Sequence, residues 1–354
     1  MHGAALNVVQ GLAIGDTYGR LEEAVMVNRL AIAKQFVQEQ LQAREDIVGA
    51  MVLGSVARGD DNETSDIDLP IVVKGGGGGD NFDRSLSTWR NGVFLEAGLR
   101  PEEDFIDFTS VMGNPIAATH MNDALILYDP DGLLTELQGR VRAVYMEPRW
   151  IKLRLEPALA RGRKGIAGLH GAVLSRARGQ ICGNMAELGY CFRSTPLLLR
   201  GITPSSGRPM SQMAEAFPDL WMRVAELEGS IDMRPEDVGA LTGFFSRQCD
   251  LLDRIAWGGL VEYFEKKLPI MAKDGRHRDV IDLIWHVWQY VPKPEDAATK
   301  NDEEAMALAK DWLLAVGWDG EEVLKEKVKL AESILEEVEA LAAALPPTKK
   351  VESS

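Results

Sequence analysis

Two short apolar stretches, residues 47–53 and 67–73, enclose a turn of small and acidic residues, and this arrangement narrows the fold more than any other feature of the chain. Both stretches are rich in apolar and β-branched residues and are bounded by Gly, Ser and Asp, which reads as strand, turn, strand. Residues two apart in a strand share a face, at a rise of roughly 3.3 Å per residue. Asp66 and Asp68 therefore present neighbouring carboxylates, while Ile67 and Leu69 face the other way, toward a core. Carboxylates so placed repel each other unless a cation lies between them or one keeps its proton. A hard cation such as Mg2+ suits the pair. It takes oxygen ligands, usually binds one or two protein carboxylates, and fills its remaining positions with water and substrate phosphates.

The turn supplies complementary chemistry. Gly54 lets the backbone come close to a ligand, Ser55 offers a hydroxyl and an amide to a phosphate oxygen, and Arg58 adds a fixed positive charge with forked donors. A helix starting near Ser55 would aim its free N–H groups at the same anion. A metal site and a phosphate site are thus expected one turn apart.

Periodicity extends this nucleus in both directions. Residues 21–44 carry apolar positions at three- and four-residue spacing with charges between them, which predicts an amphipathic helix. The five glycines at 75–79 predict a flexible surface loop. Residues 92–97 and 124–128 read as further strands, the second closed by an Asp-Pro-Asp-Gly turn, and residues 101–112 as a helix opening on acidic residues. From about residue 133 to 345 helical periodicity dominates, broken by Gly/Pro-rich residues 201–209 and by Pro292 to Pro294. The expected architecture is α+β: a small mixed-sheet domain over residues 1–140, an all-helical domain over 141–345, and a disordered tail at 346–354. A length of 354 residues suits two domains.

Composition then excludes whole classes of function. Apolar residues at 45% and charged residues at 26% are those of a globular protein, which sets aside collagen, coiled coil and wholesale disorder. No apolar run is long enough to span a membrane, and the first residues lack the basic segment of a secretory leader. Cys182, Cys191 and Cys249 fit neither a disulfide framework nor a zinc cluster, so a cytoplasmic location is expected. A net charge of −15 disfavours nucleic acid as a partner and favours a neutral or cationic small molecule. Residues 140–178 run against that balance, with ten Lys/Arg and only Glu147 and Glu156. Such a stretch suits a small anion or a solvated helix face.

Gly54-Ser55-x-x-Arg58-Gly59 followed by Ser65-Asp66-x-Asp68-Leu69 resembles the signature of the DNA polymerase β-type nucleotidyltransferase superfamily. The resemblance covers residues 30 to 135, and its detail is most similar to the kanamycin nucleotidyltransferase branch. It implies that Asp66 and Asp68 bind Mg2+, one ion or two, and that Gly54, Ser55, Arg58 and Ser65 contact the phosphates of a nucleoside triphosphate. A third carboxylate completes the site in that family. Glu96 is favoured for it and Asp107 is the alternative, since both are acids in apolar surroundings. A general base from the helical domain is also implied, with Glu156 as a weak match because Pro157 favours a helix break or start there. The implied reaction moves a nucleoside monophosphate to a small-molecule hydroxyl, aminoglycoside-like in the nearest branch, and releases pyrophosphate. Transfer to a protein or tRNA, and a catalytically silent nucleotide-binding module, are the competing readings. The kanamycin-type relatives build their site across a homodimer, which the resemblance extends to this chain as an expectation. His120, His170, His277 and His286 lack clustered metal ligands and read as structural, as do the tryptophans of the helical half. Residues 201–209 read as an interhelical connection or a lid.

Overall fold

The strands expected around the small-residue turn form β1 (Ile47–Val52) and β2 (Ile67–Val73), paired antiparallel. The computed structural model describes residues 28–41, 43–75, 85–205, 207–234, 237–252, 254–291 and 302–346. The glycines at 76–79, Pro292 to Pro294 and residues 347–354 of the tail lie outside the described residues. Helix α1 (Arg29–Gln40) lies within the first predicted helix and ends before its expected close at residue 44; residues 21–27 and 42 of that stretch lie outside the described residues. Between β1 and β2 the chain makes a single helical turn, α2 (Gly54–Arg58).

Three more strands complete the sheet: β3 (Thr88–Arg90), β4 (Val93–Pro101) and β5 (Leu125–Tyr128). Among the described residues the order is β3-β4-β2-β1-β5. The central pair β2 and β4 is parallel and the other pairings are antiparallel, so the sheet is mixed. One face packs Ile67, Leu69, Ile71 and Leu95 against Ile32, Phe36 and Val37 of α1. The other packs Val48, Met51 and Val72 against α4 (Phe108–Gly113), α5 (Pro115–Asp123) and α6 (Leu133–Val144). Cores on both faces explain why β1 is buried along its whole length and reads as a continuous apolar run.

The helix expected at 101–112 is divided. Helix α3 (Glu103–Ile106) ends at Asp107, and α4 begins there because the Asp107 carboxylate accepts from Thr109 N at 2.9 Å and from Ser110 Oγ at 2.5 Å, an N-cap. β3 was not foreseen; three residues with no apolar alternation carry no strand signal of their own.

The rest of the chain is helical: α7 (Pro148–Ser175), α8 (Arg178–Leu199), α9 (Pro209–Ala216), α10 (Pro218–Glu228), α11 (Val238–Leu251), α12 (Arg254–Lys273), α13 (His277–Val287), α14 (Asp302–Ala315) and α15 (Glu321–Ala343). Its core is built on α7 and α8 and on the fully buried indoles of Trp285, Trp312 and Trp318. All three cysteines are buried and none is in a disulfide. Pro157 does not break α7, contrary to the sequence expectation. The proline lies on the exposed side of the helix, as does Leu153, whose carbonyl loses its donor there and can meet solvent. Among the described residues no helix is long and apolar enough to cross a membrane.

Candidate active site

The register of the central strands decides where the acids meet. In the parallel β2–β4 pairing, Asp68 stands opposite Glu96, flanked by the pairs Ile67–Leu95 and Leu69–Ala97, which point into the α1 core. Adjacent strands lie about 4.8 Å apart, so the polar side of this ladder brings Asp68 and Glu96 together. Asp66 immediately precedes β2 and joins them. One carboxylate oxygen from each of the three lies within 4.8 Å of the others, and all three side chains are half-buried.

The electrostatics of this cluster are unfavourable without a cation. Burial, then the charges of Asp66 and Glu96, hold the Asp68 carboxyl well above the usual carboxylate range, while Lys267 and Arg58 pull it back. Three oxygen donors in mutual repulsion are the donor set a hard divalent cation takes, so the residues fit Mg2+.

The residues expected on the phosphate side surround the same acids. Leu53 N donates to the Asp68 carbonyl at 2.9 Å, which closes α2 onto the start of β2. Gly54 sits at φ +65°, and a Cβ there would collide with Asp68 Oδ2, so the position demands glycine. Ser55 Oγ donates to Ser65 Oγ at 3.0 Å, and Asn62 N donates to the same Ser65 oxygen at 3.0 Å. The two serines of the motif thus face each other across the turn. Arg58, at the end of α2, contacts Asp60 at 3.4 Å.

Several groups that hold the site came from outside the motif. Arg29 of α1, itself buried, donates from Nε to the Ser65 carbonyl at 2.8 Å and from Nη2 to the Glu63 carbonyl at 3.1 Å, which fixes the loop leading to Asp66. Helix α12 supplies Tyr263 and Lys267, one turn apart and both buried. Tyr263 Oη donates to the Thr64 carbonyl at 3.0 Å, and Lys267 Nζ donates to the Tyr263 hydroxyl. Burial, with Asp66 and Asp68 nearby, pushes the Tyr263 hydroxyl far up; burial lowers the Lys267 ammonium, against the pull of both aspartates. The aromatic ring of Tyr263 stacks on Phe94 of β4 at 5.8 Å. The only local signal for this pair was a Tyr and a Lys at i and i+4 on an otherwise amphipathic helix, and their partners lie some two hundred residues earlier in the chain.

Other sequence candidates lie elsewhere. Asp107 is an exposed cap residue, and its hydrogen bonds from Ser110 and Thr109 hold its carboxyl below the usual range. Glu156 is exposed on α7 and pairs with Arg163 at 2.9 Å. The basic stretch does not gather on the acids: Arg154 is buried over Tyr145, Arg161 pairs with Glu187, Arg163 also meets Glu339, and Arg176 meets Glu321. His120 is half-buried and lowered to about 4, chiefly by desolvation, and His286 likewise; His170 pairs with Glu332 on the surface.

Residues 35–131 match the model of the family described as Polymerase beta, Nucleotidyltransferase. The matched segment runs from within α1 through β5 and contains the three acids and both serines, so the sheet half is similar to a nucleotidyltransferase domain. Among solved structures, a nucleotidyltransferase-like protein from Exiguobacterium sibiricum 255-15 is similar over 73% of this chain and 74% of that chain, at 13% identity and a TM-score of 0.34. No curated protein matches the chain.

Proposed function

We propose that this protein is a nucleotidyltransferase that moves a nucleoside monophosphate from a nucleoside triphosphate to a hydroxyl of a small molecule, with Asp66, Asp68 and Glu96 as the reactive centre. The observation that carries the reading is the clustering of these three carboxylates, within 4.8 Å of one another, beside the Gly54–Ser55 turn. The family match over residues 35–131 supports the same reaction class.

The three acids would hold Mg2+, which when bound neutralises phosphate charge and favours ionisation of the attacking hydroxyl. Ser55, Ser65 and the amides of α2 would receive the triphosphate, with Arg58 adding positive charge at the end of that turn. The acceptor oxygen attacks the α-phosphorus in line and forms the new P–O bond. The bond from the α-phosphorus to the bridging oxygen breaks, and pyrophosphate leaves with that electron pair. Glu96 takes the hydroxyl proton. Such transfer asks the protein for positioning and charge neutralisation more than covalent chemistry. Burial of Tyr263 and Lys267 over the acids closes the centre from the helical side and limits water there.

The test is transfer of label from each of the four α-labelled nucleoside triphosphates to a small-molecule extract. Asp66→Asn, Asp68→Asn and Glu96→Gln should each lower transfer by at least about 100-fold, with Asp107→Asn near wild type. Full transfer by Asp66→Asn or Asp68→Asn would remove the metal assignment, and the reverse ranking of Glu96 and Asp107 would move the third role.

A further inference from the structure

Beside the acid centre, between the loop that carries it and the helical half, lies a cavity of about 500 Å³. That volume lies within the range of small-molecule pockets, about 300–1,000 Å³. Its wall includes Asn62 from the loop and Arg200, Arg208, Gln212, Glu215 and Arg276 from the helices and their connections. Three guanidinium groups therefore oppose one carboxylate.

The arginines are not equally occupied. Arg208 pairs with Asp60, which Arg58 also approaches. Arg276 is largely buried, donates to Thr64 Oγ1 at 3.2 Å, makes a long 3.5 Å contact with Asp274 and feels the buried Asp279 carboxylate, whose own hydrogen bonds come from Met210 and Ser211. Arg200 lies 4.4 Å over the Phe217 ring, and among the described residues no carboxylate pairs with it. A planar guanidinium held on an aromatic face keeps its forked donors free for a phosphate or carboxylate. The cavity wall contains none of Gly54, Ser55, Ser65, Asp66, Asp68 or Glu96 among the described residues. It therefore adjoins the triphosphate cradle without being part of it, joined to it through Asn62, which donates to Ser65, and through Arg276, which holds Thr64.

We propose that this cavity is the acceptor site and that the acceptor is a small molecule carrying a phosphate or carboxylate group, seated on Arg200 and Arg276. The assignment of the site as an acceptor site rests on the nucleotidyltransferase reading; the anion binding itself does not. It also replaces the neutral or cationic acceptor expected from the chain's net charge, because local guanidinium groups outweigh a distant surface field inside a cavity.

The experiment is a calorimetric titration of inorganic pyrophosphate into the full chain already saturated with Mg2+ and a non-hydrolysable ATP analogue. Pyrophosphate should bind alongside the analogue, and Arg200→Gln and Arg276→Gln should each weaken that binding by about tenfold or more. Arg200→Lys, which keeps the charge, should lose less, and melting curves of each variant verify the fold. Absence of pyrophosphate binding to the complex, or binding that neither substitution alters, overturns the proposal. Displacement of the analogue by pyrophosphate overturns it too, since the arginines would then serve the triphosphate. If the analogue fails to bind at all, the nucleotidyltransferase reading is what falls. The same arginine dependence, measured on the protein alone, then decides the anion site separately.

Discussion

Lys267 brings the helical half into the electrostatics of the acid centre. Its ammonium is buried, donates to Tyr263 and acts on Asp68 together with Arg58 as a compensating charge. A divalent cation held by the same acids would sit in the field of that lysine, so the two compete for one set of carboxylates. A unit charge at 4 Å is worth about 1 kcal/mol in water and more in a partly dry site. Lys267→Gln should therefore tighten Mg2+ binding by about fivefold in a calorimetric titration without nucleotide. Unchanged or weaker binding would show that the lysine's charge does not reach the acids. The residues of this centre divide by how local their signal is. Asp66 and Asp68 could be read from the two-residue period of one strand. Glu96 could be read only as an acid in an apolar run, equal in kind to Asp107 until the β2–β4 register put Glu96 opposite Asp68 and the cap of α4 absorbed Asp107. Arg29, Tyr263 and Lys267 carry no such mark, because their roles depend on contacts between distant segments.

At the scale of elements, the site depends on how tightly α2 closes onto β2. Gly54 opens this one-turn helix with a positive φ and presents its bare Cα to the Asp68 carboxylate, while Leu53 N ties the turn to the Asp68 carbonyl. Gly54→Ala should be costly twice over. The left-handed conformation costs a residue with a Cβ about 1–2 kcal/mol, and the new methyl must push Asp68 aside. Urea unfolding should report a loss of that order, and nucleotidyl transfer should fall by at least about tenfold, since small misplacements at a reacting centre carry large rate penalties. An alanine variant with normal transfer would show that the close approach is not needed. Element boundaries also show where local pattern stops informing. The four longer strands and the presence of α1 follow from periodicity and turn residues. The division of α3 from α4 needed one capping side chain, and the survival of α7 through Pro157 needed knowledge of which side faces solvent.

Across the whole molecule, the helical half is held by a buried charge network outside the acid centre. Arg193 of α8 bridges Glu228 at 2.8 Å and Asp282, all three buried, and one oxygen of Glu228 has no hydrogen-bond partner. Burial pushes the Glu228 carboxyl up to about 8 and Asp282 to about 6, with Arg193 opposing; Asp282 and Asp279 add to the rise of Glu228, and Asp279 to that of Asp282. Unfolded, Glu228 releases its proton near 4.5. Between those values the native state holds more protons than the unfolded chain, so stability declines as pH rises through the window. His286 acts in the opposite sense: half-buried and lowered to about 4 by desolvation against an ordinary 6.5, it adds stability as pH rises between those values, a gain complete about one unit above the upper one. Asp282, half-titrated at about pH 6, has nearly finished about one unit higher. The interval from about pH 7.5 to 8.5 is therefore left to Glu228 within this group. Full-length protein unfolded in urea should lose stability across it, at no more than about 1.4 kcal/mol per pH unit for one proton. Glu228→Gln keeps the side-chain shape without a titrating proton and should flatten that decline. Parallel curves for wild type and variant would mean that Glu228 enters the fold already ionised, held by Arg193 alone, and that the network behaves as a salt bridge at every pH in the interval.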